Sequence, residues 1–320
     1  VCDPDKKKLN SLHLHQSVNK YTSINKLVKK EYFDIAAILT PSGHHYKNFL
    51  QCINFAKIII VEKPIALKVS DAEKMISICN KTKTKLHVVL QNRLNPAIVF
   101  AQNIIKKNKI GKIFLTTVRL RWSRDNKYFK LAKWRGTWKY DGGVIANQCS
   151  HHIDLLQWIS GMPISVIAKT IKAHNTKNKV EDTAISIIKY KDPKKLGLIE
   201  ATIATRPNDL EGSLSILGTK GSIVLDGFNA SKIKTLKCSN ISKDQEKQLS
   251  KTMKLINSSK VNGHINFYKN ILKDSKRRKK IFNNYEGLPS LKIVNAIYKS
   301  SFESREIFLN KNLKSKLGYN

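Results

Sequence analysis

Three apolar runs near the start of the chain constrain its fold more than any other feature. DIAAILT (Asp34 to Thr40), KIIIVEKP (Lys57 to Pro64) and KLHVVLQNR (Lys85 to Arg93) each have strand length and β-branched content. Between them lie two helical patterns, HHYKNFLQCINFA (His44 to Ala56) and SDAEKMISICNKT (Ser70 to Thr82). The second begins with Ser70 and has Glu73 three residues on, the spacing of a capping box. Strands alternating with helices of this length predict a parallel sheet of βαβ units, which binds ligands at the carboxyl ends of its strands.

After Arg93 the pattern changes. A helix is expected from Pro96 to Lys107, stopped at Gly111. Then KIFLTTVRLRW, SVIAKTIKAH, VEDTAISIIKY, LGLIEATIAT, EGSLSILGTKG and SIVLDG follow as strands with no helix between them after the second. Short connections of that kind predict an antiparallel or mixed sheet. Residues 229 to 262, rich in Lys, Ser and Asn, read as an exposed excursion, and LPSLKIVNAIYKSSFESREIF reads as a closing helix. The expected class is therefore α/β, in two domains. Residues 1–93 form a parallel-sheet domain of the Rossmann type, and residues 94–320 an α+β domain with an open-faced, mainly antiparallel sheet.

A dinucleotide-binding sheet opens with a strand and a G-x-G-x-x-G turn, which the 320 residues do not contain. VCDPD (Val1 to Asp5) is either a ragged terminus with an exposed Asp or, in this context, the end of a second strand, where an acidic residue meets an adenosine ribose. The expectation is a Rossmann sheet lacking its first strand and glycine loop, with Asp3 as the ribose carboxylate.

Composition narrows the partners. With 41% hydrophobic residues the chain can bury a sizeable core, yet no apolar run reaches membrane-spanning length; AKIIIVEKPIAL is broken by Glu62, Lys63 and Pro64. Five widely spaced cysteines without a CxxC pair argue for a reducing cytoplasm and against a disulfide framework or zinc site. The net charge of +36 raises a nucleic-acid reading. Against it, the cations are overwhelmingly Lys, they are scattered, and KDSKRRKK (Lys273 to Lys280) is the main cluster. No nucleic-acid-binding motif accompanies them, so a small anionic ligand fits better than a nucleic acid.

Three segments could carry chemistry. Glu62-Lys63-Pro64 ends a parallel strand, so Lys63 would bring an ammonium to the ligand crevice, where it can stabilise a developing alkoxide. A surface lysine before a turn would look the same. TPSGHH (Thr40 to His45) links strand to helix, with Pro41 lacking a donor, Ser42 able to cap, and His45 in the first turn. Such a loop packs on a cofactor or is an ordinary Ser-Gly turn. The third segment, VIANQCSHHIDLLQW (Val144 to Trp158), follows Gly142-Gly143 and reads as one helix. There Asn147 and His151 are four apart and share a face, Asp154 reaches the same side, and His152 points away. Four polar groups on an apolar helix favour a site over packing, with His151 as general base.

Together, ILTPSGHH, IIIVEKPIAL, VVLQNRLNP, DGGVIANQCSHHIDLLQWISG, VEDTAISI and LGTKGSIVL resemble the glucose–fructose oxidoreductase/inositol dehydrogenase (Gfo/Idh/MocA) family across nearly the whole chain. That resemblance implies a Rossmann domain, NAD as cofactor, Lys63 as the catalytic-site lysine and His151 as the proton-transferring histidine. It also implies a cofactor lying against Thr40, Pro41, His45, Glu62, Lys63, Gln91, Asn92, Trp134 and Arg135. Many relatives carry Asp where this chain has Asn147. The Asn147-Gln148…His151 form, with WSRDNKYF, KWRGTWKYDGG and GHINFYKNI, resembles bacterial UDP-N-acetyl-2-amino-2-deoxyglucuronate 3-dehydrogenases of surface-polysaccharide synthesis.

The resulting expectation is oxidation of a secondary hydroxyl, at C3, of a nucleotide-activated sugar or sugar acid. Lys63, Arg124, Tyr128, Asn147, Gln148, His151 and Asp154 would face the substrate, with Arg124 and the nearby Arg135 suited to its carboxylate or diphosphate. A carboxylate at Asp3 favours NAD over NADP. An exposed apolar sheet face suggests a homodimer or homotetramer. The alternative is a non-catalytic ligand-binding or regulatory protein that keeps the same fold.

Overall fold

The computed structural model describes residues 1–174, 178–239, 241–260, 262–276, 284–310 and 312–319. Two short helices open the chain, α1 (Lys6–Ser11) and α2 (Ile24–Val28). Asp5 caps α1 by accepting from the amides of Lys7 and Lys8 at 2.9 and 3.3 Å. The expected strand at VCDPD is reduced to a single parallel bridge between Cys2 and Tyr21.

The three apolar runs form β1 (Phe33–Ile38), β2 (Ala56–Val61) and β3 (Lys85–Val88), a parallel sheet in the order β1-β2-β3. In β2 the period of two sorts the side chains onto opposite faces. Ile59 and Val61 pack with Phe49 and Cys52 of α3 (His45–Cys52) and with Met75 and Ile76 of α4 (Val69–Thr82). Ile58 and Ile60 pack with Phe267 and Ile271 of α9 (Gly263–Lys276). One covering helix of this sheet thus comes from far beyond residue 93, a contact invisible to a linear reading of domains. The capping box expected at Ser70 does not form. Lys68 holds the cap position and its carbonyl accepts from Ala72, so Ser70 already lies inside the first turn.

A connecting helix α5 (Pro96–Lys106) begins with proline at its first turn and ends before two positive-φ residues, Asn108 and Gly111. The second sheet then contains β4 (Ile113–Arg121), β5 (Ser165–Ile171), β6 (Thr183–Lys189), β7 (Leu196–Thr202), β8 (Glu211–Gly218), β9 (Gly221–Asp226), β10 (Lys232–Cys238) and β11 (Ile307–Phe308). Its order is β10-β9-β8-β4-β7-β6-β5-β11, antiparallel except for the β4–β7 pair. Helix α6 (Asn126–Lys130) follows β4, and α7 (Ser150–Ser160) and α10 (Gly287–Glu303) pack with α5 on one face. Val118, Leu120, Ile199 and Ala201 meet Ile153, Leu156, Ile293 and Ile297 there, all buried. The opposite face stays open: Ile167, Ile171, Ile185 and Ile187 are 39–55% exposed.

Residues 229 to 262 are largely exposed, as expected, yet most of those described belong to regular structure. They contain β10, which pairs with β9, and α8 (Lys243–Ser258). A capping box does form here, between Ser242 and Gln245. The lysine-rich strand and helix hide their pattern because only one side of each packs: Ile233 is buried, while no α8 residue is fully buried. Residues 277–280 of the basic cluster lie outside the described residues. The closing helix stops at Glu303, and Ser304 takes a left-handed conformation at its end.

Candidate active site

Lys63 lies just past β2, where the Lys63–Pro64 peptide is cis. Its Nζ donates to the main-chain oxygen of Asn147 at 2.7 Å, bridging the two sheets' loops. Burial pulls its pKa down; the Glu62 and Asp141 carboxylates act against that, and Arg135 adds to it. Gln91, in the 3₁₀ turn after β3, places Nε2 3.4 Å from Nε2 of His151, the second residue of α7. Burial, then the charges of Lys63, His152 and His264, hold His151 well below the ordinary histidine range, so it is neutral at physiological pH. Lys63, Gln91, Asn147 and His151 therefore converge from three segments on one place.

The segment from Val144 to Trp158 is not a single helix. Residues 144–149 form turns, and α7 starts only at Ser150, so Asn147 and His151 do not share a helix face. The cause is upstream. Gly142 has φ +85°, and a Cβ at Gly143 would fall 2.0 Å from Oε2 of Glu181. Glu181 Oε1 accepts from the Ile145 amide at 3.1 Å and from the Tyr298 hydroxyl at 2.8 Å. Tyr298 in turn accepts from the Gly143 and Ala146 amides at 3.2 and 3.1 Å. These bonds capture amides that a helix would otherwise use, and they hold the turn that presents Asn147. Burial pushes Glu181 up to about 8 and Asp141 up to about 6.

Asn147 donates from Nδ2 to Oδ1 of Asp141 in a short bond, and Asp141 Oδ2 accepts from the Gly136 amide at 2.8 Å. Gln148 donates to the Tyr128 hydroxyl at 3.1 Å, and Arg135 Nη1 donates to the same oxygen. With both lone pairs taken, that hydroxyl keeps its proton for a ligand. The Arg135 guanidinium lies 4.5 Å from the ring centre of Tyr128 and 4.8 Å from that of Trp134. Arg124 stacks near Trp122, Tyr128 and Phe228, and it donates to Asp209 at 2.9 Å. With Tyr128, Arg206 and Asp209 it lines a cavity of about 750 Å³.

Two expected contacts are corrected. Asp154 does not face a ligand: it is 2% exposed and pairs with Arg93, Nε and Nη2 each 2.7 Å from a carboxylate oxygen. His45 is wholly buried, its ring nitrogens 2.9 Å from the carbonyls of Pro64 and Thr40, so it clamps the loops after β1 and β2 rather than touching cofactor. Ser42 opens a 3₁₀ turn without capping it. Asp3 accepts from the Asp5 amide at 2.8 Å and remains partly exposed. His152 is buried against Trp122, as its direction in the sequence implies. Asp141, Glu181 and Tyr298 are site-building residues the sequence reading did not single out; the one signal was Asp141 directly before Gly142-Gly143.

A nicotinamide cofactor fits the strand ends. Thr40, Glu62, Gln91 and Asn92 lie at or beyond the carboxyl ends of the three parallel strands. Among the described residues, Gln91 Oε1 and Asn92 Nδ2 are buried without hydrogen-bond partners, as an acceptor and a donor awaiting a polar ligand would be.

The parallel sheet leaves polar groups free at its carboxyl ends, close to Lys63 in the loop after β2 and His151 at the start of α7, an arrangement that can hold a dinucleotide and move a proton. Comparison with known proteins agrees. Residues 1–90 match the oxidoreductase family's NAD-binding Rossmann fold, and residues 102–309 match its C-terminal alpha/beta domain. The chain belongs to the Gfo/Idh/MocA oxidoreductase family. Among solved structures it is similar to the WlbA dehydrogenase from Bordetella pertussis in complex with NADH and UDP-GlcNAcA. That likeness has a TM-score of 0.88 at 29% identity, covering 96% of this chain and 88% of that one. The WlbA enzyme from Chromobacterium violaceum, also solved with NADH and UDP-GlcNAcA, gives 0.87 at 31% identity, covering 96% and 86%. A putative oxidoreductase of Bacillus subtilis, YteT, is 27% identical over 132 residues, 40% of this chain and 30% of that protein. An uncharacterised oxidoreductase of Streptococcus pneumoniae is 26% identical over 216 residues, 65% of this chain and 56% of that protein. The match thus spans little more than half the length of these curated relatives at most.

Proposed function

We propose that the protein is an NAD-dependent dehydrogenase that oxidises the C3 hydroxyl of a UDP-activated N-acetyl sugar acid. The observation that carries this is the convergence of Lys63 and His151, bridged by Asn147 and Gln91, beside a polar strand-end crevice. When bound, NAD supplies the hydride acceptor. His151 takes the hydroxyl proton. An amide nitrogen only donates, so Gln91 leaves His151 Nε2 as the unprotonated ring nitrogen, and at 3.4 Å the contact is long enough to yield to a better donor. Lys63 donates to the same substrate oxygen and stabilises its developing charge. Asn147, Gln148 and the Tyr128 hydroxyl orient the sugar ring, while Arg124 and Arg135 meet the anionic groups.

The likeness to the WlbA enzymes, whose structures contain UDP-GlcNAcA, supports this substrate class. NAD rather than NADP follows from the Asp3 carboxylate, which would repel a 2′-phosphate. We further propose a dinucleotide domain over residues 1–93 and a substrate and assembly domain over 94–320. Copies would pair through the open sheet face as a homodimer or homotetramer. The free state of all five cysteines suits a reducing cytoplasm, and no helix among the described residues is long and apolar enough to cross a membrane.

The test is direct. Purified protein is given NAD and UDP-GlcNAcA, and NADH formation is followed by absorbance. Turnover lost in His151→Ala supports the reading. Tight binding of both ligands without turnover would instead favour a non-catalytic binding protein.

A further inference from the structure

Asp141 is 3% exposed, yet it carries a carboxylate that no nearby arginine or lysine pairs with at ion-pair distance among the described residues. Its two oxygens go instead to the Asn147 side chain and the Gly136 amide. A carboxylate accepts and does not donate. Bonding Asn147 through Nδ2 therefore fixes which way round the amide sits. No hydrogen bond from the described residues reaches Asn147 Oδ1. The main-chain oxygen of the same residue holds Lys63 Nζ at 2.7 Å.

We propose that Asp141 is a positioning residue of the site, orienting the Asn147 amide so that its carbonyl oxygen is left to accept from ligand, and supplying counter-charge to Lys63. The first effect makes position 147 a reader of hydroxyl or amide donors on the substrate. The second offsets the desolvation of an ammonium that must stay charged to stabilise an alkoxide. The charges bearing on Lys63 are Glu62 from the end of β2 and Asp141 and Arg135 from the loop before α7; His151 of α7 also faces it, as a neutral ring. Those bearing on Asp141 are Lys63, Arg135, Tyr128 and Glu181. Burial raises the Asp141 carboxyl to about 6, so it is mainly ionised at neutral pH and loses its charge as pH falls below that value.

The role given to Lys63 rests on the dehydrogenase reading, so the test uses a readout that needs no substrate. Competitive acetylation of the full chain across a pH series, read peptide by peptide, reports the pH at which each lysine becomes neutral. In Asp141→Asn the Lys63 profile should move down by about one pH unit or less, as expected on losing an opposite charge that lies outside ion-pair contact, with the other lysines unmoved. The exchanged pair Asp141→Asn/Asn147→Asp returns a carboxylate to the same contact and should bring Lys63 most of the way back. A Lys63 profile indifferent to Asp141→Asn, or an exchanged pair no better than the single variant, overturns the proposal. Should the single variant not fold, the exchanged pair is compared with wild type: coincident profiles support the proposal and displaced ones overturn it. A wild-type protein without turnover would sink the dehydrogenase reading and leave this result standing.

Discussion

Removing Asp154 separates a structural residue from a substrate-binding one. Its carboxylate meets Arg93 twice at 2.7 Å, with Arg93 side-chain exposure of 8% and its own of 2%. Asp154→Ala would leave the Arg93 guanidinium buried, with Glu286 at 3.3 Å as its remaining acid. Breaking a buried pair from one side typically costs about 3–5 kcal/mol, because the surviving charge keeps its desolvation penalty. The Glu286 contact places this case near the lower end, about 3 kcal/mol, roughly a hundredfold in the folding equilibrium. Replacing both partners, Arg93→Met with Asp154→Leu, removes the stranded charge and should recover most of that loss. Urea unfolding followed by circular dichroism measures all three variants. An Asp154→Ala protein as stable as wild type but with a strongly raised KM would refute this assignment and restore Asp154 to the substrate.

Three further outcomes follow from the geometry. His151→Ala should lower kcat by about a hundredfold or more while NADH binding, read by fluorescence, stays near wild type. Glu181, raised to about 8 by burial, stays protonated in the folded protein through a range where it ionises in the unfolded chain. The folded state then holds the extra proton, so stability falls as pH rises from about 4.5 towards 8; Glu181→Gln should flatten that slope in unfolding curves taken across the range. Ile187→Lys, on the open face of the second sheet, should shift the protein toward monomer in sedimentation without altering its fold; an unchanged mass would remove that face as the contact.

Much of the fold is legible because period-two runs such as KIIIVEKP and KIFLTTVRLRW state their burial directly. β10 and α8 were not, since sparse one-sided burial in a lysine-rich segment leaves no periodic stripe. The capping-box spacing at Ser70 lies two residues beyond the cap that the helix uses, Lys68. Within the site, Lys63 and His151 came forward through strand-end position and clustering. Asp154 did not keep its expected role, because helical spacing gives direction but cannot reveal that Arg93, sixty-one residues earlier, fills that direction. Asp141, Glu181 and Tyr298 lie 6 to 155 residues from the turn atoms they hold, and such closures leave no local pattern.

The most direct measurement of the central claim is a crystal structure with NADH and UDP-GlcNAcA bound. The account predicts one sugar hydroxyl within about 3 Å of both Lys63 Nζ and His151 Nε2. A sugar lying elsewhere, with Lys63 still on the Asn147 carbonyl and His151 still on Gln91, would contradict it.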